Sequence, residues 1–580
     1  MKTVKKLVSL ALATVVAASL FVGCNKKTDP VSTAPKGPKE LKLYLYNAGN
    51  LDPYFYNWGG LTLRMGAFET LTKLDANNKA VPGQAEKWEH NADYTVWKFT
   101  LKKGLKWSDG TPLTAKDFEY SIKRTVDTKV FPGKPSSYNV TVPIKNAPAA
   151  KAGKAEADSI GVKALDDTTL EFTLEQPSTI FDVSLSELWA CPVPKHVIDK
   201  VGQTDWTKVE NIVTNGPFKV SAWELNTKVE MIPNPNYYGK ANWDKIVVMS
   251  GDTNQLLAYK NGDINIANLT NTDMEAVLKD PELKKEMQIF KGSTVYHMKL
   301  LRGKNDILQT NQKVRQAIAM SLDKKTIAND IMKGSVRESN SMVPEIFAPW
   351  GNEIGLKYDV AKAKQLMAEA GFPEGKGFPE MTILIAGTPT GRELAIKDMI
   401  EKGTGIKCKI LNEEYAQFSK DEGKFWEDGT IGFSINGRST QYPSYIGYME
   451  MPNFVDDGLL NVALATMPQS KYAAFKAIQD DTKLEPNEKA KKKEEYIRQN
   501  ATDDGKKYLD MLDKAKAEND PAKKEALYKE AAKFREDQAI AINIDWENGV
   551  KLVKPNIKGY VANPLLLGTP PYYFNDMKME

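Results

Sequence analysis

Tyr94-Thr95-Val96-Trp97-Lys98-Phe99-Thr100-Leu101, followed by Lys106-Trp107-Ser108-Asp109-Gly110-Thr111-Pro112-Leu113-Thr114-Ala115-Lys116-Asp117-Phe118, sets an alternating segment, a tight turn and a helix start in direct succession. Val96–Leu101 alternates apolar and polar residues, the period of a strand with one buried face, and ends at the turn pair Lys103-Gly104. Trp107 to Pro112 is a tight turn with an aromatic plug. Thr114 and Asp117 then open a helix carrying Phe118, Tyr120, Ile122 and Val126. Strand, turn and helix in such quick succession predict an α/β body.

Outward from this block the pattern continues. Glu40–Tyr46 alternates as a half-buried strand and runs into two turn clusters, Asn47-Ala48-Gly49-Asn50 and Leu51-Asp52-Pro53. Gly161–Leu174 is strand-like on both sides of an Asp166-Asp167 turn. Asn311–Met332 predicts a helix with Val314, Ala317, Ile318, Ser321, Leu322 and Ile327 on one face. Asp359–Ala370 is a helix capped by Asp359 and stopped at Gly371-Phe372-Pro373. Thr482–Arg535 is a solvated helical region whose charge blocks are exposed faces. Ala539–Trp546 and Val550–Lys554 return to strand character, so both chain ends are expected in one domain.

At 580 residues the chain is too long for one core, and several domains are expected. The formal net charge of +4 argues against nucleic-acid binding, which needs a concentrated basic surface. The first residues are the most specific local signal. Lys2, Lys5 and Lys6 precede Leu7–Val22, an uncharged run of 16 residues, shorter than the ~20 that span a bilayer. Leu20-Phe21-Val22-Gly23-Cys24 follows the pattern of a lipoprotein signal cut before a lipidated cysteine, with Phe21 where Leu is usual. Residues 1–23 are therefore expected to be removed, taking three lysines with them and leaving a net charge near +1. A diacylglyceryl Cys24 would hold the chain at the extracytoplasmic face of a membrane. Residues 24–39, with four Lys and three Pro, are a flexible stalk. Cys191 and Cys408 stand far apart and could be joined or remain two buried thiols. His90, His196 and His297 lack ligand spacing, so neither a metal nor another cofactor is expected.

Several phrases together resemble the bacterial oligopeptide- and dipeptide-binding proteins, the solute receptors of peptide ABC importers. They are the opening block, Gly161–Glu171, Cys191-Pro192-Val193-Pro194-Lys195, Asn211–Phe218, Asn234-Pro235-Asn236-Tyr237-Tyr238, Val314-Arg315-Gln316-Ala317-Ile318 with Asp323, Ala363-Lys364-Gln365-Leu366 and Leu552-Val553-Lys554-Pro555. The resemblance implies an α/β, two-lobed periplasmic-binding-protein-like fold with an extra domain and a ligand cleft between the lobes. Lobe I would take residues 40–68, 195–292 and 549–580, the extra domain 69–194, and lobe II 293–548. It further implies a monomeric receptor that closes on an oligopeptide by hinged motion and hands it to the permease subunits of an ABC importer. The peptide main chain would be held as an added strand, with side chains in hydrated pockets.

By position in that resemblance, Asn57, Trp58, Gly59, Tyr138, Tyr415, Asn436, Gly437, Arg438 and Ser439 are the expected ligand-binding residues. One window departs from the family. Ile435–Pro443 holds Arg438 and no acidic residue, where many members carry an Asp that pairs with the peptide's ammonium group. Either another carboxylate, such as Glu413 or Glu414, supplies the charge, or the ligand is not a free-amine peptide. Arg438 itself could clamp a carboxylate or phosphate or point to solvent. Alternative functions are the same receptor fold with a non-peptide solute or a signalling peptide, and a secreted hydrolase. The sequence shows no G-x-S-x-G elbow and no His in a nucleophile–base setting, so no enzyme is expected.

Overall fold

From the amino terminus, β1 (Glu40–Tyr44) is followed by β2 (Ala85–His90), β3 (Val96–Leu101), α1 (Ala115–Val126), β4 (Val162–Ala164) and β5 (Thr169–Thr173). The computed structural model describes residues 37–45, 50–54, 65–75, 79–131, 143–186, 190–251, 253–439, 444–450, 461–481, 483–484, 486–518, 520–561 and 573–580. The expected leader, Cys24 and the expected stalk up to residue 36 lie outside them, as do Asn57, Trp58, Gly59 and Tyr138.

β2, β3, β5 and β4 form a four-stranded antiparallel sheet in the order β2-β3-β5-β4. Trp97, Phe99 and Leu101, alternate residues of β3, are buried with Phe118 and Ile122 of α1 in a core that runs from Met65 to Ala190. The α1 start is locked locally: the Asp117 carboxylate accepts from the Thr114 N–H at 2.8 Å. Trp107 is fully buried, and the turn it plugs needs Gly110 at φ +91°. A buried ion pair ties this substructure to the β1 side, with Arg124 of α1 at 2.8 Å from Asp52 and both side chains 2% exposed. Asn215-Gly216 is a close approach: its side chain bonds the Glu69 N–H and carbonyl, and a Cβ on Gly216 would lie 2.6 Å from the Gly66 carbonyl.

The main sheet has eleven strands. β6 (Phe218–Glu224), β7 (Lys228–Pro233), β8 (Lys245–Met249) and β9 (Ile266–Asn268) join β1 on one side. β10 (Met287–Leu300), β11 (Val336–Glu338), β12 (Met381–Ala386), β13 (Cys408–Glu413), β14 (Ile431–Arg438) and β15 (Ala541–Val553) complete it. The order is β13-β12-β14-β10-β15-β9-β1-β8-β7-β6, with β11 on β15. The first strand and the last long strand thus share one sheet, separated only by β9.

Two helical layers sandwich the β10–β15 half. α2 (Gln312–Met320), α3 (Val360–Glu369) and α4 (Gly391–Thr404) pack Ala317, Met367 and Ile396 against Met298, Ile383 and Phe433. α5 (Tyr415–Glu422) follows β13, and α6 (Pro486–Asn500), α7 (Asp503–Ala517) and α8 (Pro521–Gln538) follow β14. Tyr508 of α7 and Tyr528 of α8 cover Val295 and Trp546 on the opposite face. Cys191 and Cys408 belong to different cores and are not joined. Among the described residues no helix is long and apolar enough to cross a membrane.

Two elements differ from the sequence reading. The helix expected over Asn311–Met332 stops at Met320, because Ser321 bonds back to the Ile318 carbonyl and Asp323 caps a new turn at Thr326. The two strands expected at the carboxyl end are one continuous strand, β15, with polar Glu547-Asn548-Gly549 inside it.

Candidate functional site

β10 and β15 alone run the length of the main sheet. β14 pairs with β10 only along Val295–Leu300, and β9 with β15 only along Lys551–Val553. Between them, from Lys291 to Val295, the β10–β15 ladder breaks register, and the sheet narrows to these two strands with β11 alongside. Gly292 is obligatory at this waist, since a Cβ there would sit 2.7 Å from the Glu547 carbonyl. Arg337 of β11 ties the strands: Nη2 donates to the Gly292 carbonyl (3.0 Å), and Nη1 to the Glu547 carbonyl (2.9 Å) and Asn548 Oδ1 (2.6 Å).

Strand directions make the waist the natural place for a ligand. β12, β13 and β14 are mutually parallel and antiparallel to β10, so their carboxyl ends point toward the waist, and β14 reaches the level of Val295. β1, β8 and β9 are parallel too, and Asn268 at the end of β9 pairs with Lys551, facing the waist from the other half. Ligands of open α/β sheets bind beyond such carboxyl ends. At this level β14 also outruns β12. Their pairing stops at Ser434, so among the described residues Ile435–Arg438 have a strand partner on one side only, β10.

The register sorts the expected site residues onto two faces. Ser434, Asn436 and Arg438 converge on Glu422 of α5, at 3.0, 3.4 and 3.4 Å. Burial alone would raise the Glu422 pKa, but Lys299 and Arg438 hold it below the usual range. Arg438 is one-third exposed and ion-paired with Glu422. His297 lies beside Asn436 in the register, fully buried, and burial together with Arg438 pushes its pKa down to about 3. Tyr415 is 69% exposed at the start of α5, stacked on Phe418. Glu413 faces the Asp421 carboxyl, and burial and that like charge raise its pKa. Glu414 is the residue before α5. A cavity of about 80 Å³ borders Glu422 toward the far end of β10, lined by Lys299, Arg302, Lys424 and Lys476.

On the other face Gly437, Tyr296 and Asp545 stand in one row across β14, β10 and β15. Arg392, at the start of α4, lies 3.8 Å from the Tyr296 ring centre, 3.3 Å from Asp545 and 3.1 Å from Glu393. Burial pushes the Asp545 pKa up to about 6, against the pull of Arg392. Glu393 serves twice, because it also accepts from the Thr390 N–H at 2.8 Å to cap α4. Sequence reasoning passed over Tyr296, Arg392, Asp545 and Glu547. Only the Thr390/Glu393 spacing marked this helix start locally; the cross-sheet rows needed the register.

Residues 79–458 match the model of bacterial extracellular solute-binding proteins, family 5 Middle. The chain is 32% identical over 377 residues to the periplasmic oligopeptide-binding protein OppA of Salmonella typhimurium, covering 62% of this chain and 67% of that one. It is 28% identical to the "Probable deoxycholate-binding periplasmic protein YgiS" of Escherichia coli, over 92% of this chain and 94% of that one. The fold is shared with the unliganded open form of the murein tripeptide-binding protein MppA, at a TM-score of 0.70 and 23% identity, covering 94% of this chain and 98% of that one. With the family match spanning well over half of its length, the chain belongs to the bacterial extracellular solute-binding proteins of family 5.

Proposed function

We propose that this chain is an extracytoplasmic receptor that captures oligopeptides at the waist and delivers them, chemically unaltered, to the permease of an ABC importer. The observation that carries the reading is the one-sided edge of β14 at Ile435–Arg438, set where strand ends from both halves converge. A peptide in extended form adds to such an edge through its main chain, which gives affinity with little dependence on side chains. OppA of Salmonella typhimurium, a relative named for oligopeptides, matches over 377 residues.

In this reading residues 40–68, 195–292 and 549–580 act as one lobe and 293–548 as the other, with 69–194 as the extra domain. Asn57, Trp58, Gly59, Tyr138, Tyr415, Asn436, Gly437, Arg438 and Ser439 line or border the peptide. Lipidated Cys24 keeps a monomeric receptor beside its transporter. Binding asks for no bond to be made or broken, so the chain acts without catalysis.

Micromolar affinity, about −8 kcal/mol, adds about 2.7 kcal/mol of stability at a hundredfold excess of ligand over Kd. A soluble form starting after Cys24, titrated with mixed peptides, is expected to melt at a higher temperature. An unchanged melt with every peptide pool would remove the reading. The name of the second relative favours one alternative, a bile-acid-like solute. Mass spectrometry of the ligand released from natively purified protein separates the two.

A further inference from the structure

We propose that Glu547 is the counter-charge for a primary ammonium group of the bound ligand, with the Thr294 hydroxyl as a second acceptor. The inference rests on the peptide-receptor reading and names the group that orients the peptide. Glu547 stands on β15 at the waist, two residues beyond Asp545 and therefore on the same face as the Gly437–Tyr296–Asp545 row. Its neighbours among the charges already have partners. Arg392 is held between Asp545 and Glu393, Arg337 bonds Glu345, and Lys551 is buried against Asn268 Oδ1. Among the described residues, no cation lies within ion-pairing distance of the Glu547 carboxylate.

The setting is costly for a charge left in that condition. Glu547 is only partly exposed, and its burial raises the carboxyl pKa against the weaker opposing influence of Thr294, Arg392 and Lys551. A carboxylate removed from water without a partner is unfavourable. Beside it the Thr294 hydroxyl, 2% exposed, lies near enough to the carboxylate to favour its ionised form, and its oxygen accepts from no donor among the described residues. A carboxylate and a hydroxyl, both short of a donor and side by side where the two halves meet, suit a compact group with three N–H donors. One carboxylate is too few for a hard cation, which takes six or more oxygens. The assignment also accounts for the window Ile435–Pro443, which holds no acidic residue, and for Glu413, whose carboxyl is turned to Asp421.

The test is calorimetric titration of one peptide in free-amine and N-acetylated forms into wild type, Glu547→Gln and Glu547→Asp. Wild type is expected to lose at least tenfold in affinity on acetylation. Glu547→Gln should bind both forms as weakly as wild type binds the acetylated one, and Glu547→Asp should keep the preference. Ligand-free Glu547→Gln should melt no lower than wild type, since it removes an uncompensated charge. A Gln variant that still discriminates, or that is markedly destabilised, overturns the inference, the latter because the carboxylate then has an internal partner. Wild type that binds both forms equally also overturns it while leaving the receptor reading intact. Only wild type that binds no peptide removes both.

Discussion

His297 shows what a single side chain at this site can and cannot do. It is fully buried between β14 and β15, with Nε2 lacking a hydrogen-bond partner and Nδ1 at 3.4 Å from the Val295 carbonyl. With a folded pKa of about 3 against about 6.5 when unfolded, the ring is neutral wherever the receptor works and adds no charge to a ligand site. The unfolded chain binds the extra proton between these two values. Stability from this group is therefore complete above about pH 6.5 and falls as the pH drops toward 3, by about 2 kcal/mol at pH 5. His297→Asn, which does not titrate, is expected to lose correspondingly less stability than wild type between pH 7 and 5 in urea unfolding. Equal losses would mean that the ring takes up its proton in the folded state.

Elements whose signals are local were legible, and those made by register were not. Thr114 with Asp117 and Asp359 with the helix after it act across three residues, so α1 and α3 could be read directly. Arg124 and Asp52 are 72 residues apart, and Arg392 and Asp545 are 153 apart; only the folded sheet brings each pair together. The stretch Asn436–Ser439 was found through family resemblance, whereas Glu547 was hidden because its polar neighbourhood looked like a break between two strands. That break is the waist itself, and Arg337 is its clasp. Hydrogen bonds from a charged donor are worth about 1.5–3 kcal/mol each. Arg337→Met removes the guanidinium, which lies 5.6 Å from the Trp546 ring centre, and with it the bonds to Gly292, Glu547 and Asn548. Amide hydrogen exchange at Glu547–Gly549 should then accelerate at least tenfold, about 1.4 kcal/mol of local stability. Unchanged exchange would mean that β10 and β15 hold their geometry without the clasp.

For the molecule as a whole, the consequence of a narrow waist is motion. Among the described residues, two long strands and a three-residue third are all that the sheet carries across it, so a change of a few backbone angles near Gly292 and Gly549 would turn one half against the other. A ligand that touches both halves binds the closed arrangement better and draws the population toward it by its difference in affinity for the two states. A compact body of this length has a radius of gyration of about 25 Å. The ligand-free protein, sampling open arrangements, should exceed that value in X-ray solution scattering, and saturating peptide should bring it down toward it. The same titration on Arg337→Met separates the clasp from the ligand. If the clasp restrains opening, the variant starts from a larger radius and reaches the same liganded value. A radius that ignores peptide, in protein shown by calorimetry to have bound it, would mean that the site is filled without closure and that the importer must recognise the ligand by some feature other than shape.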